Sequence, residues 1–295
     1  MLLFRKRIAT PAKVGRYANL LLDRWFKRTF GEEPRKHLLE LFLQELIPER
    51  KIVSLTYAPQ EHFNPWRRRK DVRVDVECTD ADGSRFVVEM QIAEQKDFYE
   101  RAVFISSFAV QQQLRKGRRG YDFPTVYFIG LMDFSLHKGS DEVAYRYTLR
   151  ENRTGERMTD RLQYIFLELP NCRKALTDEA SVMDNFCYAL HNMHTLKERP
   201  PQLDKEIFRL LFESAEICNF APRERIKYEY DMTTKRDILN YIDFAREDGE
   251  KKGMEKGAEQ KAKEIARQML VKGYPVEEVS EVTGLSSEIL KEVQG

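Results

Sequence analysis

Asp75, Glu89 and Gln91 are the residues of this chain whose types and spacing suit chemistry. They fall between Asp71 and Ile92, where polar and apolar residues alternate along two runs separated by Asp80-Ala81-Asp82-Gly83. Such alternation predicts an antiparallel hairpin, because successive strand side chains point to opposite faces. Val72, Val74, Val76, Cys78, Phe86, Val88, Met90 and Ile92 then share one face, and Asp75, Glu89 and Gln91 the other. Pairing Val76 with Val88 sets Val74 opposite Met90, Cys78 opposite Phe86 and Arg73 opposite Gln91. It also sets Asp75 directly opposite Glu89, with Cβ atoms roughly 5 Å apart. Like charges in direct opposition destabilise a hairpin unless something neutralises them. A hard divalent cation does so, since Mg²⁺ takes one or two carboxylates and leaves its other positions to water and substrate phosphate. The competing account is an ordinary solvated hairpin face, where most Asp and Glu are found.

The elements that must hold this hairpin are legible on both sides of it. Residues 14 to 31 predict a helix ending at Gly31, and a second runs from Pro34 to about Ile47, with proline where the first helical turn tolerates it. A loop rich in proline and aromatics, Tyr57 to Trp66, leads into the basic cluster Arg67-Arg68-Arg69-Lys70. After the hairpin, Asp97 to Lys116 predicts a long helix. Val126 to Met132 is a continuous apolar run, the pattern of a strand buried on both faces. Val143 to Leu149 and Leu162 to Leu169 predict two further strands. The order helix, hairpin, helix, buried strand implies an α/β core with a mixed sheet.

From Asp178 onward the pattern turns helical, over 178–195, 203–218 and a long segment from about Thr233, with breaks at Pro200-Pro201 and Pro222. The expected organisation is therefore an α/β core over 1–177, a helical region over 178–232, a charged Gly/Glu/Lys-rich helix or linker over 233–270 and a small helical hairpin over 271–295. In the third segment Gly249, Gly253 and Gly257 each cost about 1 kcal/mol relative to alanine in a helix, which predicts a solvated, marginal element. The last segment has the outline of a helix-turn-helix around Thr283-Gly284-Leu285-Ser286. It also fits a plain helical hairpin, and DNA reading by this tail is disfavoured because the second helix offers only Lys291 as a basic group.

Composition narrows the classes. A chain of 295 residues with 42% hydrophobic and 33% charged residues suits one large or two ordinary globular domains with a highly charged surface. A net charge of +2 means that nucleic-acid affinity has to come from local patches. No apolar run approaches a membrane span, and Met1 to Arg7 has the reverse order of a secretory signal. Cys78, Cys172, Cys187 and Cys218 lack paired spacing, so a reducing cytoplasm is the expected compartment. Cys187, His191 and His194 sit at helical spacing but lack a fourth ligand, and are read as one core residue and two surface residues. No glycine-rich phosphate loop opens a helix, and no hydrolase nucleophile turn is present.

Asp75 followed across the turn by Glu89-Met90-Gln91 resembles the core motif of the PD-(D/E)XK nuclease superfamily. More closely it resembles the Rpn family of recombination-promoting nucleases and transposases, in which glutamine commonly stands in place of the superfamily lysine. The stretch from Asp23 to Gly31, Cys78-Thr79-Asp80 with Gly83, Tyr121 after Lys116-Gly117, and Phe166-Leu167-Glu168-Leu169-Pro170 are also similar to that family. So is the Glu/Lys/Gly-rich tail with Thr283-Gly284-Leu285. The resemblance spans nearly the whole chain.

The resemblance implies a restriction-endonuclease-like α/β fold, with a mixed sheet flanked by helices, and metal-dependent cleavage of DNA phosphodiesters, linked to recombination or mobile elements. It implies Mg²⁺, with Mn²⁺ or Ca²⁺ as alternatives, held by Asp75, Glu89 and the Met90 carbonyl, with Gln91 orienting water. For the phosphate, Arg101 and Arg73 are candidates, each also able to act as a salt-bridge partner. Lys116 and Arg118, with Arg67 to Lys70, suit tracking of a DNA backbone. Asp23 and Lys27 form either an i,i+4 ion pair or an outer shell of the site. Departures are Val74 before Asp75, where the superfamily often has proline, and Gln91, a neutral amide in place of a cation. The rival class keeps the fold as a weak or inactive DNA-binding or regulatory protein. DNA is the expected partner, a homo-oligomer is compatible, and no membrane is expected. Nothing in the residues supports strand transfer in the strict sense.

Overall fold

Every residue of the apolar run Val126–Met132 is buried, and this strand (β6) lies inside the sheet with parallel neighbours on both sides. The computed structural model describes residues 15–58, 61–62, 72–94, 96–114 and 120–294. Flanking β6 are β5 (Arg85–Gln91) and β8 (Leu162–Glu168). Outside them come β4 (Val76–Thr79), antiparallel to β5, then β1 (Thr56–Tyr57), and on the far edge β7 (Ala144–Thr148), antiparallel to β8. The order β1-β4-β5-β6-β8-β7 makes a mixed, six-stranded sheet. This is the mixed α/β architecture expected from the sequence.

Helices cover both faces. Val76, Cys78, Phe86, Val88, Met90, Ile129, Leu131, Ile165 and Leu167 join one core cluster with α1 (Asp23–Phe30), α2 (Lys36–Leu46), α4 (Val182–Asn192) and α5 (Glu206–Ala215). Phe30, Phe42 and Phe186, one from each of the first three, meet ring to ring there. The opposite face buries Val87, Phe128, Met132, Tyr164 and Phe166 under Phe98, Ala102, Ile105 and Ala109 of α3 (Phe98–Gln113). Gly130 allows that helix to sit close: a Cβ there would stand 2.9 Å from Phe166 and 3.2 Å from Phe98, nearer than a methyl group tolerates.

The hairpin register is the expected one where the ladder exists. Val76 pairs with Val88 and Cys78 with Phe86, and Gly83 turns the chain at φ +87°. On its N-terminal arm the expected pairings of Asp75 with Glu89, Val74 with Met90 and Arg73 with Gln91 are not part of the ladder. The ladder stops at Val76, and the chain bends at Asp75. Val74 therefore packs with Val87 on the α3 side instead of staying with Val76. Beyond the bend, β3 (Val72–Arg73) pairs with β2 (Glu61–His62) in a separate small sheet, so Arg73 lies opposite Glu61 and not opposite Gln91. The first helix is also shorter than expected, because residues 15–22 are not helical. Tyr17 bridges to Glu216, and the Ala18 N–H donates to the Ala215 carbonyl.

The chain divides into two compact units, Met1–Met232 and Thr233–Gly295. Helix α6 runs from Pro222 to Val271, so Pro222 stands at the break after α5 as expected, and the long helix starts there and not near Thr233. It continues through Gly249, Gly253 and Gly257, which face open space. In the second unit α7 (Val276–Thr283) and α8 (Ser287–Gln294) close a small core of Ala266, Val279, Leu285 and Leu290.

Candidate active site

The bend at Asp75 lets a side chain take over the strand's hydrogen bond. The Met90 N–H donates to Asp75 Oδ2 at 2.8 Å, the place where the next residue of a continuing strand would have accepted. In return the Asp75 N–H donates to Glu89 Oε1 at 3.1 Å. At the end of the ladder the Glu89 carboxylate is thus held by the Asp75 backbone, and the Asp75 carboxylate by the backbone of Met90. Glu89 is only 2% exposed, since α3 covers its face, and the Asp75 side chain is largely buried. In an antiparallel ladder a residue's N–H and C=O point toward the same neighbour. The Met90 carbonyl therefore faces the edge that Asp75 caps.

Two cations reach the pair. Lys27 Nζ of α1 lies 3.2 Å from Asp75 Oδ1 and 2.7 Å from Asp23 Oδ1, so it spans both carboxylates. The i,i+4 pair expected between Asp23 and Lys27 is present, and its lysine also touches the site. Arg101, in the first turns of α3, lies 3.3 Å from Glu89 Oε2, the salt-bridge alternative weighed for it. Burial, and after it the neighbouring Asp75 charge, push Glu89 up to about 7, against the pull of Arg101. Burial also raises Asp75, opposed by the Met90 N–H and by Lys27. Near neutral pH the pair holds its second negative charge with difficulty, the condition in which a bound cation gains most.

Gln91 closes β5 beside Met132 of β6, and its carbonyl accepts the Asp133 N–H at 2.8 Å. Strand alternation places its side chain on the face of Glu89, one pleat further on. Arg73 is not brought to this face by the ladder. Lys116 and Arg118, and the cluster Arg67 to Lys70, lie outside the described residues. Among the described residues no set of three or more His, Cys, Asp or Glu gathers as metal ligands. Two carboxylates with a backbone carbonyl fit a cation that fills its remaining positions with water and phosphate oxygen. Cys187 is core, as expected, while His191 Nδ1 bonds Asp133 Oδ1 at 2.6 Å. The structure thus places Lys27 in both of the roles its spacing offered, paired with Asp23 and in contact with Asp75. The contacts that sequence reasoning missed are the side-chain captures at the bend, Met90 N–H to Asp75 and Asp75 N–H to Glu89.

A mixed sheet whose hairpin ends on paired carboxylates, with a glutamine one pleat beyond, defines a nuclease-like α/β protein. Consistent with that class, residues 20–245 match the family model described as PD-(D/E)XK nuclease family transposase, and the chain belongs to that family. Residues 259–294 match the C-terminal HTH domain of the Rpn/YhgA-like nuclease family, which decides for helix-turn-helix over plain hairpin in α7 and α8. No curated protein and no solved structure matches the chain. Among the described residues no helix is long and apolar enough to cross a membrane.

Proposed function

We propose that this protein is a metal-dependent DNA endonuclease whose centre is Asp75, Glu89 and Gln91. The observation that carries this reading is the clasp of Asp75 and Glu89 at the end of the ladder, two buried carboxylates that repel each other where the fold did not have to place them. A divalent ion bound there, Mg²⁺ first and Mn²⁺ or Ca²⁺ as alternatives, supplies acidity to a water and neutralises charge at the scissile phosphate. Asp75, Glu89 and the Met90 carbonyl are its ligands. Gln91 orients the attacking water, its amide oxygen accepting and its NH₂ donating. Lys27 and Arg101, which balance the carboxylates, are within reach of phosphate oxygens, and Lys27 brings to the site the positive charge that Gln91 lacks.

In this reading residues 1–177 are the nuclease core, 178–232 a helical buttress, 233–270 a charged connector and 271–295 a DNA-contacting module. Lys116, Arg118 and the cluster Arg67 to Lys70 track the backbone, Arg73 is a secondary phosphate contact, and Asp23 holds Lys27 in place. The cellular setting is the cytoplasm, acting on DNA in recombination or in mobile elements, with self-association compatible. The test is plasmid cleavage with Mg²⁺, Mn²⁺ or Ca²⁺ by wild type, Asp75→Ala, Glu89→Ala and the double variant. Wild type nicks or linearises the plasmid and the variants fall to background. Wild-type cleavage equal to that of the double variant refutes the enzyme.

A second reading, a DNA-binding protein that retains the nuclease fold, is favoured by one observation. Lys27 and Arg101 already counter both carboxylates without a metal. Binding without cleavage in the same assay is its outcome.

A further inference from the structure

A second buried carboxylate lies on the same sheet face, at the end of β8. Glu168 is fully buried and saturated with donors: Ser135 Oγ at 2.7 Å, Asn171 Nδ2 at 2.8 Å, and His137 through both its N–H at 3.2 Å and its ring Nδ1 at 2.5 Å. This fixes the His137 ring, which stacks on Tyr145 with centroids 3.8 Å apart and planes 13° from parallel. The outward nitrogen of His137 lies 3.3 Å from the Tyr147 hydroxyl, which lies 3.3 Å from that of Tyr99. Tyr99 and Tyr147 both rest on Phe166, with centroids 5.5 Å away, and remain 41% and 37% exposed.

The arrangement is a rigid aromatic shelf. Its rings rest on Phe166 and are tied by hydrogen bonds through His137 to the buried Glu168 carboxyl group. Its position bears on the site. Phe166, Gly130 and Glu89 are register partners in one row across three strands, so Phe166, on which both tyrosines rest, stands about 10 Å from Glu89, with Tyr147 one strand further out on β7. Tyr99 and Arg101 also share the first turns of α3. Beyond Tyr147 the connection to β8 carries four arginines. Arg157 pairs with Asp160 and Arg161 with Asp122, so Arg150 and Arg153 are the cations there that, among the described residues, have no ion pair and can meet a phosphate backbone.

We propose that Tyr99 and Tyr147 stack an unpaired base, so that the DNA presented to Asp75 and Glu89 is single-stranded or frayed. Exposed aromatic rings beside a basic surface are how proteins hold single strands without reading sequence. The inference rests on the DNA-cleaving reading of the neighbouring carboxylates, but its test needs neither metal nor turnover.

The test uses the full chain in chelator, titrated against a short single strand carrying a fluorescent adenine analogue, and against a duplex of the same sequence. Wild type quenches the analogue in the single strand. Tyr147→Leu and Tyr99→Leu each weaken single-strand binding about 5- to 100-fold, while Tyr147→Phe and Tyr99→Phe, which keep the ring, stay within about twofold. Duplex affinity is unchanged in all four, which also verifies that they are folded. Leucine variants that bind the single strand as wild type does, or that lose duplex binding equally, overturn the shelf. So does a clear preference for single-stranded RNA of the same sequence. Absence of metal-dependent cleavage of both the plasmid and single-stranded DNA, with these results intact, would refute the nuclease and leave the shelf standing.

Discussion

Glu89 and Glu168 are both buried glutamates on the α3 side of one sheet, two strands apart, and their surroundings are opposite. Glu168 receives four donors and needs nothing more. Glu89 receives the Asp75 N–H at 3.1 Å and Arg101 at 3.3 Å, and faces a second carboxylate. A buried carboxylate saturated with hydrogen bonds stabilises the loop it gathers. One left short of donors next to a like charge costs stability, and is retained where a ligand completes it.

The comparison breaks first at Glu168. Glu168→Ala strands the donors of Ser135, Asn171 and His137 in the interior, and about 3 kcal/mol of unfolding free energy is lost in urea denaturation. A loss below about 1 kcal/mol would make Glu168 no more structural than Glu89.

At Glu89 the sign reverses. Its carboxyl titrates near 7 in the folded protein and near the ordinary glutamate value when unfolded, so the native state binds the extra proton between those limits. The stability this confers is present at low pH and is lost as pH rises through 7. Metal-free Glu89→Gln is therefore more stable than wild type at pH 8 by on the order of 2 kcal/mol, and the advantage disappears near pH 4. Denaturation in chelator at the two pH values measures it. A glutamine variant less stable at pH 8 would mean that Glu89 is as well satisfied as Glu168.

A smaller effect falls on the counter-ion. Lys27→Met removes the ammonium between Asp23 and Asp75 and lowers metal-free stability at pH 8 by about 1 kcal/mol, while divalent metal then raises the melting temperature more than it does in wild type. Equal metal-induced shifts would separate Lys27 from the carboxylate pair. Smallest is Gln91→Lys. With Lys27 already beside Asp75, restoring a cation at this position changes plasmid cleavage by less than about tenfold, and a larger gain would show that Lys27 does not supply that charge.

Much of this was legible in the residues, because period-two alternation fixes register wherever both strands are paired. Val76 to Thr79 against Arg85 to Val88 followed from that alone, as did the buried strand Val126–Met132. The misplaced parts, Val74 and Arg73, lie just beyond Asp75, where a side chain captures the Met90 N–H and ends the ladder. A pattern of faces carries no mark of that capture. Lys27 at the site was legible only as one of two alternatives for the Asp23–Lys27 pair. The donors that Ser135 and His137 bring to Glu168 were illegible for another reason: they come from a distant part of the chain, and a polar side chain reveals nothing about a distant partner. The C-terminal helix-turn-helix was visible as two helices and a turn, an outline that plain helical hairpins share, so the family comparison was needed to tell the two apart.

Gly130 is the missing methyl group that sets the spacing between the two glutamate neighbourhoods. The absent Cβ lets Phe98 and Phe166, in edge-to-face contact at 5.2 Å between centroids, both close over the Gly130 backbone, and Phe98 opens the same helix that carries Tyr99 and brings Arg101 to Glu89. One carbon added at that point works as a shim. It lifts the start of α3 off the sheet and so loosens the ring shelf and the arginine together, making a single backbone position the common gauge for both.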